Sequence, residues 1–353
     1  MKYLIAFCSA FSLLCLLSPL LVRWGLGIAG VMAPLLPLVF VLNLLLILLA
    51  GFKKSWWALL PLGWVVWTLP FLPSFYQWGQ PKVAASSNPT ISILSYNVSF
   101  FNIPAPFSDA YYDPLANSPA ITLQKWLKNH PADIKCLQEF YDDENSSIFN
   151  NETALSKEGM YECYFVAKPR HQNGTRRGLA IFSKYPIVNT GEIFLSDNLY
   201  NGAIYADIQI GQDTVRVINI HLESMQLAAA SDLFSAYQNG VMNHLRQVRQ
   251  IQPFIASSSY PVIVSGDFNS TPYSAVYQEF NKDLLSSFER AGSGFGFTYN
   301  GSTLKFLRID HQFYTPSLKA LQYTTYSDIT ASQHFPIEVK YELPMSSTLS
   351  LKD

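Results

Sequence analysis

Apolar positions follow two regimes along the chain. Over residues 4–22, 24–50 and 56–75 they run almost unbroken, relieved only by small hydroxyls, Asn43 and a few prolines. Each run approaches or exceeds the ~20 residues that carry a helix across a bilayer, so the pattern predicts three membrane-spanning helices. After residue 90 the rhythm shortens to strand-like runs, each closed by a polar side chain. Residues 91–98 alternate and deliver Asn97, and 133–140 end at Glu139. Residues 178–186 form a buried strand with a turn, while 203–210 and 214–221 pair around Gly211 and end at His221. Residues 261–268 place Val262, Ile263 and Val264 ahead of Gly266, then present Asp267 and Asn269, which share a face if the segment is extended. Two further strands, 308–314 and 329–341, carry Asp310 and His334. Helical spacing predicts a short helix over 121–129, closing at Pro131, and one helix or two over 227–255 ahead of Pro253. Many short strands and few long helices imply a mixed α/β sandwich with mainly antiparallel sheets.

Composition sharpens the division. The chain of 353 residues is 49% apolar and 14% charged, and the apolar excess sits at the start. This gives a membrane anchor over 1–79, a linker over 80–89, a large domain over 90–345 and a short tail over 346–353. The linker is small, polar and proline-punctuated, as flexible tethers are. Lys53 and Lys54 outweigh Arg23, which places their loop in the cytoplasm and the large domain on the other side. Lys2 before an apolar core also fits a cleaved signal peptide, but that run is long and lacks a clear small-x-small site. The net charge of −1 offers no basic surplus for gripping duplex nucleic acid. Of the four cysteines, Cys8 and Cys15 fall in the first span and Cys136 and Cys163 in strand-like contexts, so all read as small buried hydrophobes. A Cys136–Cys163 disulfide is compatible with a domain outside the cytoplasm.

Taken singly, each polar strand end has a plain explanation. Asp267 and Asn269 fit an Asx-turn, His221 a core histidine, and Glu139 a cap on the acidic loop of Asp142, Asp143 and Glu144, which reads as a solvated face. His311 and Asp328 stand out by no spacing. The ordered set is more specific. Leu94-Ser95-Tyr96-Asn97, Leu137-Gln138-Glu139-Phe140, the run from Gly178 to Ile187, Asn219-Ile220-His221, Gly266-Asp267-Phe268-Asn269, Arg308-Ile309-Asp310 and Gln333-His334 together resemble the endonuclease/exonuclease/phosphatase superfamily of metal-dependent phosphodiesterases.

That resemblance covers about residues 91–343. It implies a four-layered α/β sandwich, two packed and mainly antiparallel sheets flanked by helices, with the site at one end. It also implies Mg²⁺ (or Mn²⁺), with Glu139 as principal ligand and Asn97 beside it. Asp267 would position or deprotonate the attacking water, Asn269 would hold a phosphate oxygen, Asp310 would orient His334 to stabilise the developing charge or shuttle a proton, and His221 would contact the scissile phosphate, with either an aspartate or a histidine as the general base. The substrate expected is a phosphoester: a lipid headgroup, a small phosphoester or nucleic acid.

One position departs from the family pattern. Gln333 stands where an Asp precedes the last histidine, so a full negative charge is missing. Gln333 can still reach a metal or water through its amide oxygen, and Asp328 would need a loop excursion to replace it. The outcome is either an active enzyme using one metal or a weakened relative that binds without cleaving. No acidic partner for His221 is evident in the sequence. Arg176 and Arg177 precede the Gly178 strand, and phosphate binding or simple surface solvation suits them equally.

Overall fold

The computed structural model describes residues 1–79, 88–103, 118–157, 159–167, 175–196, 200–224, 232–301 and 306–344. The helices are α1 (Lys2–Arg23), α2 (Leu36–Phe52), α3 (Leu59–Thr68), α4 (Leu72–Phe75), α5 (Ser118–Asn129), α6 (Asn151–Ser156), α7 (Leu233–Ala256), α8 (Ala275–Phe280) and α9 (Ser287–Ala291). The strands are β1 (Thr90–Asn97), β2 (Ile134–Asp143), β3 (Glu162–Ala167), β4 (Thr175–Ser183), β5 (Ile187–Leu195), β6 (Gly202–Ile210), β7 (Asp213–His221), β8 (Val262–Asp267), β9 (Leu285–Ser286), β10 (Asp310–Tyr314), β11 (Lys319–Thr325) and β12 (Ile337–Glu342). They form two sheets, ordered β11-β12-β1-β2-β4-β3 and β5-β6-β7-β8-β10-β9.

The alternating strands bury one face between the sheets and the other under helices. Ile93, Ile181, Ile204, Val217 and Ile263 fill the space between the sheets. Leu123 and Leu127 of α5 cover the first sheet, and Val241, Leu245 and Val248 of α7 cover the second. The result is the four-layered sandwich that the resemblance implies. Each sheet holds one parallel pair, β1–β2 and β7–β8, among antiparallel neighbours. Parallel strands send their C-terminal ends to the same edge. Asn97, His221 and Asp267, which close β1, β7 and β8, therefore gather at one end of the sandwich with Glu139, which lies within β2 just past the residue opposite Asn97, and antiparallel β10 begins there, with Asp310 opposite Asp267.

Buried amides tie the two sheets together beneath that end. Gln138 Nε2 donates to Asn219 Oδ1 at 2.7 Å, and Asn219 Nδ2 donates to the carbonyls of Leu137 and Ala180. Gln312 Nε2 donates across the sheets to Ile93 O at 3.0 Å. A buried amide left unpaired costs roughly 1–3 kcal/mol, so these bonds favour one register of sheet on sheet.

Three apolar segments, Lys2–Arg23, Gly27–Phe52 and Trp56–Phe75, are long enough to cross a membrane. Asn43, the polar exception of the second, donates through Nδ2 to Ser12 Oγ at 2.9 Å on the first span and to Val39 O at 2.8 Å, while its Oδ1 is buried without a partner. The anchor does not hang from a tether. Arg23 Nε meets Glu279 at 2.6 Å, Ile28 N donates to Gln238 Oε1, and Gln77 pairs with the backbone of Gly294. Residues 80–87 of the expected linker lie outside the described residues, but the anchor is seated on the domain before that point.

Other expectations are corrected. The long helix runs as one piece through Pro253, which sits in its last turn where few backbone bonds remain to lose; the expected stretch at 227–231 lies outside the described residues. All four cysteines are free. Cys136 lies opposite Ile181 and Cys163 opposite Phe182, so consecutive β4 residues send the two thiols to opposite faces of the sheet. Asp142 and Asp143 are not solvated but buried. Asp142 lies opposite Arg176 on β4, and Arg176 Nη2 bonds both Asp142 and Glu152 at 2.5 Å. Arg176 thus serves as the counter-ion of a buried carboxylate. Arg176→Met would leave the Asp142 carboxylate buried without its counter-ion, and is expected to lower stability by about 3 kcal/mol. An unchanged denaturant midpoint would show that the ion pair contributes nothing.

His311 is a core histidine. Its Nε2 lies 2.8 Å from Ser270 O, and burial, reinforced by Arg308, lowers its pKa to about 3. Burial, with Lys135 and Lys184 nearby, lowers His130 to about 4. Both rings stay neutral in the fold but bind protons in the unfolded chain below its usual ~6.5. Stability is therefore complete above that value and declines as pH falls towards the folded pKa values. At pH 5 the loss from His311 alone is about 2 kcal/mol. Thermal unfolding at pH 7 and pH 5 tests this; equal midpoints would contradict it.

Candidate active site

Asp267 ends β8 and divides its two oxygens between structure and chemistry. Its Oδ1 accepts from Asn269 N at 2.8 Å, which closes the Asx-turn. Its Oδ2 accepts from Asn97 Nδ2 at 3.0 Å and lies 3.6 Å from Nε2 of both His221 and His334. Asn269 does not continue an extended segment as expected. It adopts φ +46° and reaches the pocket by a left-handed turn, with Nδ2 donating to Leu222 O at 2.8 Å.

Glu139 arrives by a different local device. The β2–β4 register shifts between Leu137 and Phe140, and Glu139 takes φ +49°. Such a bulge re-aims a side chain out of the sheet. Glu139 Oε1 accepts from Asn97 Nδ2 at 3.2 Å and lies 3.7 Å from His221 Nε2. The Asn97 amide thus bridges two carboxylates, while its own oxygen accepts from Ser99 N.

The histidines are held from behind by different partners. His334 Nδ1 lies 2.9 Å from Asp310 Oδ2. Burial favours the neutral ring, but the carboxylates of Asp310 and Asp267 outweigh it and raise His334 to about 9. For His221, the partner missing from the sequence is a main-chain oxygen: Nδ1 lies 2.7 Å from Tyr200 O, which leaves Nε2 facing Asp267 and Glu139. His244 sits behind the site, 2.7–3.2 Å being the usual hydrogen-bond span, with Nδ1 at 3.1 Å from Ser270 Oγ.

These groups border a pocket of about 510 Å³, lined by Glu139, His221, Asp267, Asn269, His334 and Gln333 among others. Gln333 is exposed on its wall and held through its backbone, its carbonyl accepting from Asn300 N at 2.7 Å. Asp328 is exposed in the turn between β11 and β12 and lines no part of the pocket. Arg177, one residue from Arg176 and on the opposite face of β4, stacks over Phe100 and Tyr200, which do line it.

Sequence reasoning missed that aromatic wall. Ser99, Phe100, Phe101 and Asn102 all have φ between 45° and 58°, a left-handed turn that costs roughly 1–2 kcal/mol per residue. It is held because Phe101 is buried against Phe140, Ser99 Oγ meets Ser332 Oγ at 2.9 Å, and Asn102 Nδ2 donates to Ala331 O. No local residue pattern announces such a turn.

The donor set suits a hard divalent cation. Glu139 and Asp267 offer carboxylate oxygens joined by one amide, the donor type that Mg²⁺ prefers. Asp267, Asp310 and His334 also approach within 4.8 Å of one another. The carboxylates of Asp310 and Asp267 favour the protonated form of His334, in which the ring donates rather than ligates.

Comparison with known proteins agrees with this geometry. The model of the Endonuclease/Exonuclease/phosphatase family matches residues 94–334. Nocturnin of Xenopus laevis is 27% identical over 179 residues, spanning 47% of this chain and 43% of that protein. The chain therefore matches less than half the length of this relative. Among solved structures, an endonuclease/exonuclease/phosphatase family protein from Leptotrichia buccalis is similar at TM-score 0.51 and 17% identity, over 72% of this chain and 100% of that one. The catalytic domain of human Nocturnin with bound sulfate gives TM-score 0.50 at 18% identity, covering 72% and 95%. Humanized D. rerio TDP2 gives 0.52 at 17%, covering 72% and 99%. At these identities the structural likeness speaks for the fold.

Proposed function

The chain belongs to the endonuclease/exonuclease/phosphatase family, whose members are hydrolases of phosphoester bonds, and from that premise we propose a membrane-anchored, divalent-metal-dependent phosphodiesterase in which water attacks phosphorus in line with the leaving oxygen. The reading rests on one observation above the rest: Asp267 Oδ2 receives Asn97 and faces both His221 and His334 within 3.6 Å.

Asp267 Oδ2 holds the attacking water and takes its proton. Asn269 spends one amide hydrogen on Leu222 O and keeps the other for a phosphate oxygen. His334, protonated and oriented by Asp310, offsets negative charge as it grows on the phosphoryl oxygens. His221 turns Nε2 to the same phosphate. Enzymes of this family use divalent metals, and Glu139 with Asn97 would hold Mg²⁺ or Mn²⁺, which supplies Lewis-acid stabilisation of the phosphoryl oxygens when bound. The catalytic domain spans 90–345. It lies on the side of the membrane away from Lys53 and Lys54.

The full chain in detergent, assayed on bis(p-nitrophenyl) phosphate, is expected to lose at least tenfold in rate with EDTA and to recover with Mg²⁺ or Mn²⁺. Gln333→Asp restores a charge beside the site and is expected to lower the metal concentration needed for half-maximal rate. Rates indifferent to chelator would reject the metal. If only Gln333→Asp turns substrate over, the natural chain is a binding protein.

A further inference from the structure

A second cavity lies where the anchor meets the domain. It measures about 320 Å³, within the ~300–1,000 Å³ of small-molecule sites. Its walls include Leu35 and Leu38 from the start of the second span, Phe75 from the end of the third, and Tyr273, Phe297 and Leu307 from the domain. Part of the wall belongs to segments apolar enough to cross a membrane, and Leu38 is 62% exposed beside the cavity. The cavity therefore lies beside segments apolar enough to cross a membrane, and its apolar lining suits a hydrocarbon.

Two more observations narrow the occupant. Among the described residues lining the cavity Arg308 is the one charged side chain; it is 3% exposed, donates to Phe295 O at 2.8 Å and to Ser74 O, stacks on Phe288, and keeps a buried Nε without a hydrogen-bond partner. An apolar slot of this kind fits a hydrocarbon chain, and the charge of the buried guanidinium beside it favours an anionic molecule over a cationic one. The cavity and the catalytic pocket have no lining residue in common but are built on neighbouring segments. Asn269 lines the pocket and Thr271 the cavity, separated by about 7 Å of chain at most. Leu307 O accepts from Tyr299 N, with Leu307 on the cavity and Tyr299 on the pocket.

The domain's own surface fits such an arrangement. Phe295 packs on Phe75 and Tyr76 yet is 41% exposed, and Trp78 beside Tyr76 is 85% exposed. Leu233 and Phe234 are exposed at the start of α7, one turn before Gln238, which bonds the anchor. Apolar side chains left exposed around the docked anchor suit the boundary of a bilayer.

We propose that this cavity seats the hydrocarbon chain of a membrane lipid whose phosphoester enters the catalytic pocket, so that the substrate class is a phosphorylated lipid taken directly from the bilayer. This rests on the reading of the pocket as a phosphoester hydrolase. Tail and headgroup occupy separate cavities that border the same segment, 269–273, and the anchor forms part of the substrate site.

The test uses the full chain in phosphatidylglycerol nanodiscs doped with phosphatidylglycerol bearing a photoactivatable acyl chain. Cross-links are expected on 271–273 and 306–308, and Leu35→Trp or Leu38→Trp should reduce them at least fivefold. The same variants should slow phosphatidylglycerol hydrolysis at least tenfold while leaving bis(p-nitrophenyl) phosphate hydrolysis within twofold. Equal loss on both substrates in both variants would overturn the proposal. Turnover of the soluble ester with cross-links confined to the spans would reject the lipid while the hydrolase stands. Cross-links in the cavity without turnover of either ester would reject the hydrolase reading and the lipid as its substrate.

Discussion

Asp267→Asn is expected to lower the turnover number on bis(p-nitrophenyl) phosphate by about three orders of magnitude while the protein stays folded. The substitution is isosteric and keeps an oxygen to accept from Asn269 N, so the Asx-turn survives. What disappears is the charged Oδ2 that faces His221 and His334 and accepts from Asn97. In its place stands an amide donor, opposite the donor on Asn97. A second readout separates lost chemistry from lost structure. Burial opposes protonation of His334, and Asp267 is among the carboxylates that raise it to about 9. Its removal should bring that titration down, measurable by NMR of the imidazole in the metal-free protein. A variant retaining more than a tenth of the turnover would remove Asp267 from the role of base.

The architecture was legible because its signals are local. Period-two runs ending at Gly or Pro marked the strands, and β1, β2, β7 and β8 each carried a polar residue at or near its close. The parallel pairs then bring Asn97, Glu139, His221 and Asp267 to one end, with Asp310 and His334 joining them. What escaped the sequence depends on distant or backbone partners. The oxygen that fixes His221 is a carbonyl, which any residue at position 200 would supply. Arg176 and Arg177 look alike as neighbours, but strand alternation sends one to Asp142 and the other to the aromatic wall. The bulge at Glu139 and the left-handed turn at Ser99–Asn102 are imposed by tertiary contacts against local preference. The seating of the anchor on α7 and α8 has no periodic signature at all, since it is made by single pairs such as Arg23 and Glu279.

Gly266→Ala should damage both the fold and the site, because here the strand that carries the chemistry has no room for a side chain. Gly266 has φ +152°, and a Cβ at this position would lie 2.0 Å from Ile220 O and 2.8 Å from Ile220 C. Both obstacles are backbone atoms of β7, so no rotamer change relieves them. Relief requires β7 and β8 to part, at the centre of the second sheet where Ile220 pairs with Gly266 and His221 with Asp267. We expect a loss of at least about 3 kcal/mol, equivalent to a fall of roughly 10 °C in Tm for a domain of this size. Because the pair next to the clash is His221 and Asp267, the molecules that remain folded should also lose activity, through a displaced Oδ2 rather than an altered charge. Asp267→Asn and Gly266→Ala therefore separate by calorimetry: the first leaves Tm nearly unchanged, and the second lowers it. A Gly266→Ala protein with native Tm and native turnover would mean that β7 and β8 do not approach as closely as this register requires.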